Sequence, residues 1–290
     1  MNTSMEEWLR QSERENLPMW KILQRKDCLE TGLTETESFA KMHALYKDMI
    51  RSDAEYNPAL RSPSGLVGGE AELLRRHREA GKTMFSDFLS HVMERALRIA
   101  ASNACMHVIV ATPTAGSCGI LPAVLISAQQ QFDYTDEEIV QALYVAAGVG
   151  GVIAHRASIS GAAGGCQAEI GSASAMAASA LVFLQGGFAM QIVDASALAL
   201  KGLLGLVCDP VCGLVEVPCV KRNVIGAVNA VSCAEMALAG IQSRIPADQV
   251  FDAMGKIGRQ MPASLRETAL GGLAATPTAK EIEERLKKKP

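Results

Sequence analysis

Residues 170–193, IGSASAMAASALVFLQGGFAMQIV, decide how the rest of the chain is read. The stretch carries no charge and is long enough on paper to cross a bilayer, which takes about 20 apolar residues. It is nevertheless rich in Ser and Ala, and Gly186-Gly187 breaks it. A helix that is apolar all round but built of small residues belongs inside a protein, where backbones approach closely. Two further uncharged stretches, 101–132 and 139–153, are read in the same way, the first being interrupted by Pro113 and Pro122. All three are interior segments, and no membrane partner is expected.

The flanking sequence repeats the helical signal. Apolar residues spaced by three and four over 36–51 mark an amphipathic helix. Residues 70–81, EAELLRRHREAG, begin acidic, turn basic and end at Gly81, a polarity that complements the helix dipole. More helices are expected at about 84–103, 121–131, 136–155, 166–185, 189–206, 223–241 and 246–261. Only Val108-Ile-Val110 resembles a strand. The expected fold is all-α or nearly so: a helical extension over 1–35, then one helical domain over 36–290. The pentapeptide Ala-Thr-Pro-Thr-Ala occurs at 111–115 and again at 275–279. Since Thr-Pro supplies a cap and a pre-set first helical position, both copies read as helix starts.

Composition agrees with close helix packing. The 290 residues are 49% hydrophobic but only 4% aromatic, and they include 25 glycines. A net charge of −3 with no basic stripe excludes a nucleic-acid surface, and Lys287, Lys288 and Lys289 read as a solvated end. The opening residues, MNTSMEE, lack the basic and apolar regions of a secretory signal. Eight cysteines without such a signal point to the reducing cytoplasm, where thiolates serve metals or catalysis more often than disulfides. Cys28, Cys105, Cys118 and Cys233 read as small buried hydrophobes.

Four cysteines fall between 166 and 219. Cys166 follows Gly161-Ala-Ala-Gly-Gly165, a loop able to wrap a bulky group, while Cys208 and Cys219 each adjoin rigid proline-containing segments. Three thiolates would leave one iron of a four-iron cube open. Structural zinc normally takes close pairs of cysteines, and Cys208 with Cys212 could form only one. Spacing alone leaves a cluster, a zinc site and unligated thiols all open.

Larger motifs carry a resemblance. Ser158-Ile-Ser-Gly-Ala-Ala-Gly-Gly-Cys-Gln-Ala-Glu-Ile-Gly-Ser is followed by Cys208-Asp-Pro-Val and Val217-Pro-Cys-Val-Lys-Arg-Asn. With Ser64-Gly-Leu-Val-Gly-Gly, Ala111-Thr-Pro-Thr-Ala-Gly-Ser and Leu265-Arg-Glu-Thr, these resemble the iron–sulfur L-serine dehydratases, in particular the α chain of the two-chain bacterial form. The resemblance implies an L-serine ammonia-lyase with a [4Fe-4S] cluster on Cys166, Cys208 and Cys219, without Cys212. It also implies a separate β subunit and an oligomeric enzyme. Some single-chain members end in a cysteine that can occupy the open iron, whereas this chain ends Lys-Lys-Lys-Pro.

Loss of water from L-serine requires help for a poor leaving group and a base for the Cα proton. Pyridoxal phosphate, the usual alternative, needs a Schiff-base lysine, and residues 101–200 contain none. Gly81-Lys-Thr has the ending of a P-loop, but Arg76 stands where its first glycine belongs. Substrate-binding candidates are Ser64, Gly65, Thr112, Thr114 and Ser117, in loops just before expected helices, where N-termini attract carboxylate. Lys221 and Arg222 could also bind carboxylate or counter a cluster's charge; the bland alternative is a solvated helix start capped by Asn223. His155 and Ser160 are candidate bases, and a base from the β subunit is a further option. Alternative functions are a related lyase such as an L-cysteine desulfidase, or a non-catalytic cluster-carrying subunit.

Overall fold

The computed structural model describes residues 4–288. Residues 1–3 of the opening segment and 289–290 of the lysine tail lie outside the described residues. The described chain holds thirteen α-helices and no β-strand. The first five are α1 (Met5–Glu15), α2 (Met19–Thr31), α3 (Glu35–Ala54), α4 (Glu70–Glu79) and α5 (Asp87–Ala104). Then come α6 (Ile120–Phe132), α7 (Asp136–Arg156), the single turn α8 (Gly161–Gly164) and α9 (Ser172–Leu184). The last four are α10 (Ala189–Lys201), α11 (Cys219–Leu238), α12 (Ala247–Gln260) and α13 (Pro277–Lys287). The fold is all-α, as expected.

The uncharged stretch forms the centre. Helix α9 is buried from Ser172 through Val182 and is surrounded by α6, α7, α10 and α11. Its serines are satisfied inside the bundle. Ser174 Oγ donates to Gly226 O at 2.8 Å and accepts from Asn229 at 2.9 Å, and Ser179 Oγ donates to Ile192 O at 2.9 Å. Such pairing removes the penalty for burying a hydroxyl. Two helical stretches, Asp136–Arg156 and Gln167–Leu184, are long and apolar enough to cross a membrane, and both are mostly buried inside the protein.

Local chemistry sets the helix ends. Thr135 and Glu138 form a reciprocal capping box, three acidic residues occupy the first turn of α7, and His155 and Arg156 close it. Trp8 of α1 lies against α7, where a Cβ on Gly148 would come within 2.4 Å of the indole. The same core therefore includes Met5, Trp8 and Leu23 from the N-terminal helices.

Residues 4–35 contain two full helices and the start of a third. Several other expectations are corrected. Val108-Ile-Val110 is irregular, because none of it finds a pairing strand. The expected helix at 166–185 begins with a π-helical turn, Gln167–Gly171, before α9. Helix α11 starts at Cys219, so Asn223 lies inside it, buried and bonded to the neighbouring loop rather than capping a solvated end. Cys118 and Cys233 are buried, but Cys28 and Cys105 are only partly so.

Candidate functional site

Three buried thiols come from three separate elements. Cys166 joins α8 to the π-turn, Cys208 lies on the loop after α10, and Cys219 opens α11. Their exposures are 2%, 2% and 8%. Cys208 is pinned by a one-residue parallel bridge to Arg266: its N–H donates to Leu265 O at 2.9 Å, and Glu267 N–H donates to its carbonyl at 2.8 Å. Burial pushes all three thiols up, Cys166 to about 11, Cys219 to about 12 and Cys208 further; Cys166 adds to the rise at Cys208 and Cys219, and Glu169 adds to all three. At neutral pH these are protonated thiols, and a metal binding them must displace protons.

Arg222 opposes that trend at Cys166. Its guanidinium donates to Val207 O at 2.8 Å and to Asp209 at 2.9 Å. Asp209, itself buried, also accepts from Leu273 N–H at 2.8 Å. Lys221, in contrast, is half-exposed and pairs with Glu70 at 2.8 Å. Arg222 faces the thiols and Lys221 faces α4.

Glu169 is the site residue that the motifs do not single out. Thr114 Oγ1 donates to its Oε1 at 2.7 Å, while Oε2 lies 4.0 Å from Cys208 Sγ. Burial raises its pKa and Thr114 partly offsets the rise. A signal was available: Glu169 is the sole charged residue between Arg156 and Asp194. Gly161 lets these groups close in on its backbone. A Cβ there would sit 2.7 Å from Glu169 Oε2, 3.0 Å from Cys208 Sγ and 3.2 Å from Glu267 Oε2. Those distances are below normal contact, so any side chain would displace the groups around it.

The remaining candidates divide. Thr112, Thr114 and Ser117 form one loop, with Ser117 Oγ 3.1 Å from Thr114 Oγ1 and 3.3 Å from Thr112 O. Thr112 Oγ1 is buried with no hydrogen-bond partner. Ser64 and Ser62 both donate to Glu216, the latter at 2.9 Å, and Gly65 takes the left-handed conformation at φ 78°. Ser160 adjoins Gly161, and its carbonyl accepts from Ala163 and Gly164 in α8. His155 is exposed on the last turn of α7. Cys212 points instead into a pocket beside α13 with Leu214, Glu283 and Lys287.

Among the described residues, no three His, Cys, Asp or Glu side chains converge as a single metal ion requires. A four-iron cube makes a different demand, because each thiolate binds its own iron and the sulfurs surround a body rather than a point. Three buried thiols from separate elements, close enough that the charges of Cys166 and Cys219 both act on Cys208, fit such a group.

Fold and site together define a helical protein built around a buried thiol centre with an adjacent carboxyl. Residues 14–274 match the family model of the serine dehydratase alpha chain, and the chain belongs to that family. It is 52% identical over 225 residues to a probable L-serine dehydratase alpha chain of Bacillus subtilis, covering 78% of this chain and 75% of the relative. It is 43% identical over 243 residues to the L-serine dehydratase alpha chain of Peptoniphilus asaccharolyticus, covering 83% and 80%. The Escherichia coli L-serine dehydratase TdcG is 37% identical over 241 residues, which is 81% of this chain but 53% of that protein.

Proposed function

We propose that this chain is the α subunit of an L-serine ammonia-lyase, which converts L-serine to pyruvate and ammonia together with a separate β subunit. Cys166, Cys208 and Cys219 hold its [4Fe-4S] cluster. The observation that carries this reading is the meeting of three buried thiols with Glu169 beside the bare Gly161. When bound, such a cluster supplies a Lewis acid that stabilises the departing hydroxyl.

The chain's own residues do the rest. Arg222, anchored by Asp209, offsets negative charge at Cys166. Thr114 holds Glu169 by Oε1 and leaves Oε2 beside Gly161 and Cys208 Sγ. Glu169 there takes the Cα proton, since it lies by the thiols whereas His155 and Ser160 are exposed. The proton and the hydroxide leave as water, and the aminoacrylate tautomerises to an imine. A second water hydrolyses the imine to pyruvate and ammonia.

The test uses αβ complex prepared anaerobically, with iron and sulfide content, visible absorption and pyruvate formation as readouts. Cys166→Ser should lose the cluster absorption and the activity together. Turnover that survives the substitution would sink the assignment, and pyruvate formed from L-cysteine but not from L-serine would make the enzyme a desulfidase.

A further inference from the structure

Gln167 directly follows Cys166 and is wholly buried. A glutamine side chain offers two N–H donors and a carbonyl acceptor, and burial obliges each of them to find a partner. All are engaged here. Nε2 donates to Gly164 O at 2.9 Å and to Met254 O at 3.1 Å, while Oε1 accepts from Gly205 N–H at 2.9 Å. The backbone N–H of Gln167 adds a bond to Leu206 O at 2.9 Å. Two of the side chain's partners can only accept and the third can only donate, so the amide has a single orientation.

These bonds join three parts of the molecule. Gly164 belongs to α8, Met254 to α12, and Gly205 and Leu206 to the loop that leads into Cys208. Gly165 makes the approach possible: a Cβ on it would lie 2.9 Å from Leu206 O, and its φ is 76°, a conformation that glycine takes without strain. The segment before Cys166 therefore meets the segment before Cys208 backbone to backbone. The other ties on Cys208 come from other directions. Arg222 of α11 holds Val207 O and Asp209 on either side of it, and Leu265 and Glu267 hold its backbone. The Gln167 bonds are the ones made by the immediate neighbour of Cys166.

We infer, resting on the cluster reading, that Gln167 is a positioning residue: it sets Cys208 against Cys166, so that the two thiols stand in place before iron or sulfide arrives. Every bond it makes is to the chain's own backbone, and none of them waits for a bound group. Residues that hold a metal's ligands rather than the metal itself typically change its retention by about 10- to 100-fold when replaced. Gln167 differs in this from a buried polar side chain such as Ser174, whose bonds to Gly226 and Asn229 tie α9 to α11 within the packed bundle.

The experiment compares wild-type αβ complex with Gln167→Met, which keeps the length of the side chain and removes its three bonds, and with Ser174→Ala. Without cluster and under reducing conditions, the alkylation rate of each cysteine is read by mass spectrometry. Cys208 in Gln167→Met should react about tenfold faster or more, because a buried loop deprived of its hydrogen bonds opens more often. Cys118 and Cys233, buried elsewhere, should stay within about twofold of wild type. Loaded anaerobically, Gln167→Met should release iron to a chelator about tenfold faster, and the electron paramagnetic resonance of its reduced cluster should shift. Ser174→Ala should change neither. In the wild type, the amides of Gln167 and Gly205 should be equally protected from hydrogen exchange with and without the cluster. An unchanged Cys208 rate overturns the inference, as does a rise shared by Cys118 and Cys233, the same changes in Ser174→Ala, or amides that gain protection only on loading. A wild-type complex that takes up no iron and sulfide overturns the cluster reading instead, and the alkylation rates still decide whether Gln167 holds Cys208.

Discussion

Ala-Thr-Pro-Thr-Ala occurs twice in this chain and is put to two different uses. At 275–279 it starts a helix: Thr276 caps α13, accepting from Ala279 N–H at 3.4 Å, and Pro277 takes the first turn. At 111–115 it leads into a single 3₁₀ turn, Ala115–Ser117, and Thr114 donates to a carboxyl 55 positions away. The difference lies in the residues on the C-terminal side of each copy. After Ala279 comes KEIEERLK, an amphipathic run that needs only a start signal. After Ala115 come Gly116 and Gly119, and Asn223 of α11 holds both: it donates to Gly116 O and accepts from Gly119 N–H, each at 2.9 Å. A short motif specifies a local choice only where no distant partner overrides it.

That contrast can be broken from either side. The largest effect is expected for Asn223→Ala, which leaves one buried and one partly buried backbone group just after the first copy unpaired while the second copy is untouched. A stability loss of about 4 kcal/mol in urea unfolding is the expected outcome. A loss under about 1 kcal/mol would mean that the loop holds itself.

Next comes the matched pair Thr114→Val and Thr278→Val. The first removes a hydrogen bond to Glu169 and should lower kcat/KM by roughly 10- to 100-fold with the circular dichroism unchanged. The second alters an exposed threonine and should change nothing measurable. Equal behaviour of the two would erase the distinction between the copies.

The smallest effects compare the leading threonines. Thr276→Ala should cost about 1 kcal/mol, the usual value of an N-cap, with no loss of turnover. Thr112→Val should be neutral or slightly stabilising, because it replaces a buried hydroxyl that has no partner with a methyl group. A raised serine KM in Thr112→Val would instead give that hydroxyl a partner in the substrate.

Much of the architecture is legible directly, and the reason is local. Spacing of three and four, capping boxes such as Thr135 with Glu138 and the acidic-to-basic polarity of 70–81 all act within a few residues. The uncharged 170–193 segment announces a buried helix because no charge has to be explained away. The site is legible only in part. Spacing alone does not decide among three fates for the cysteines, and the larger motifs, not the intervals, single out Cys166, Cys208 and Cys219. Glu169 sits unremarked inside one of those motifs, although it is the lone charge in a long neutral region. Asp209 likewise stands inside a motif without its role being visible, because its bond to Arg222 is one that only the folded chain creates. The role of Asn223 is hidden for the same reason, its partners lying more than 100 residues upstream.

The one-residue bridge at Cys208 also sets a timetable. Both backbone bonds of Cys208 are made with Leu265 and Glu267, and Asp209 is closed off by Leu273. Those partners are synthesised well after the helices that carry Cys166 and Cys219. Synthesis runs at about 5–20 residues per second and folding follows from the N-terminus. A nascent chain can thus assemble its bundle on the ribosome, but the thiol pocket stays unfinished until residue 273 has emerged. Delivery of iron and sulfide therefore has to wait for that stretch, and premature termination upstream of 265 yields a helical remnant with no working pocket.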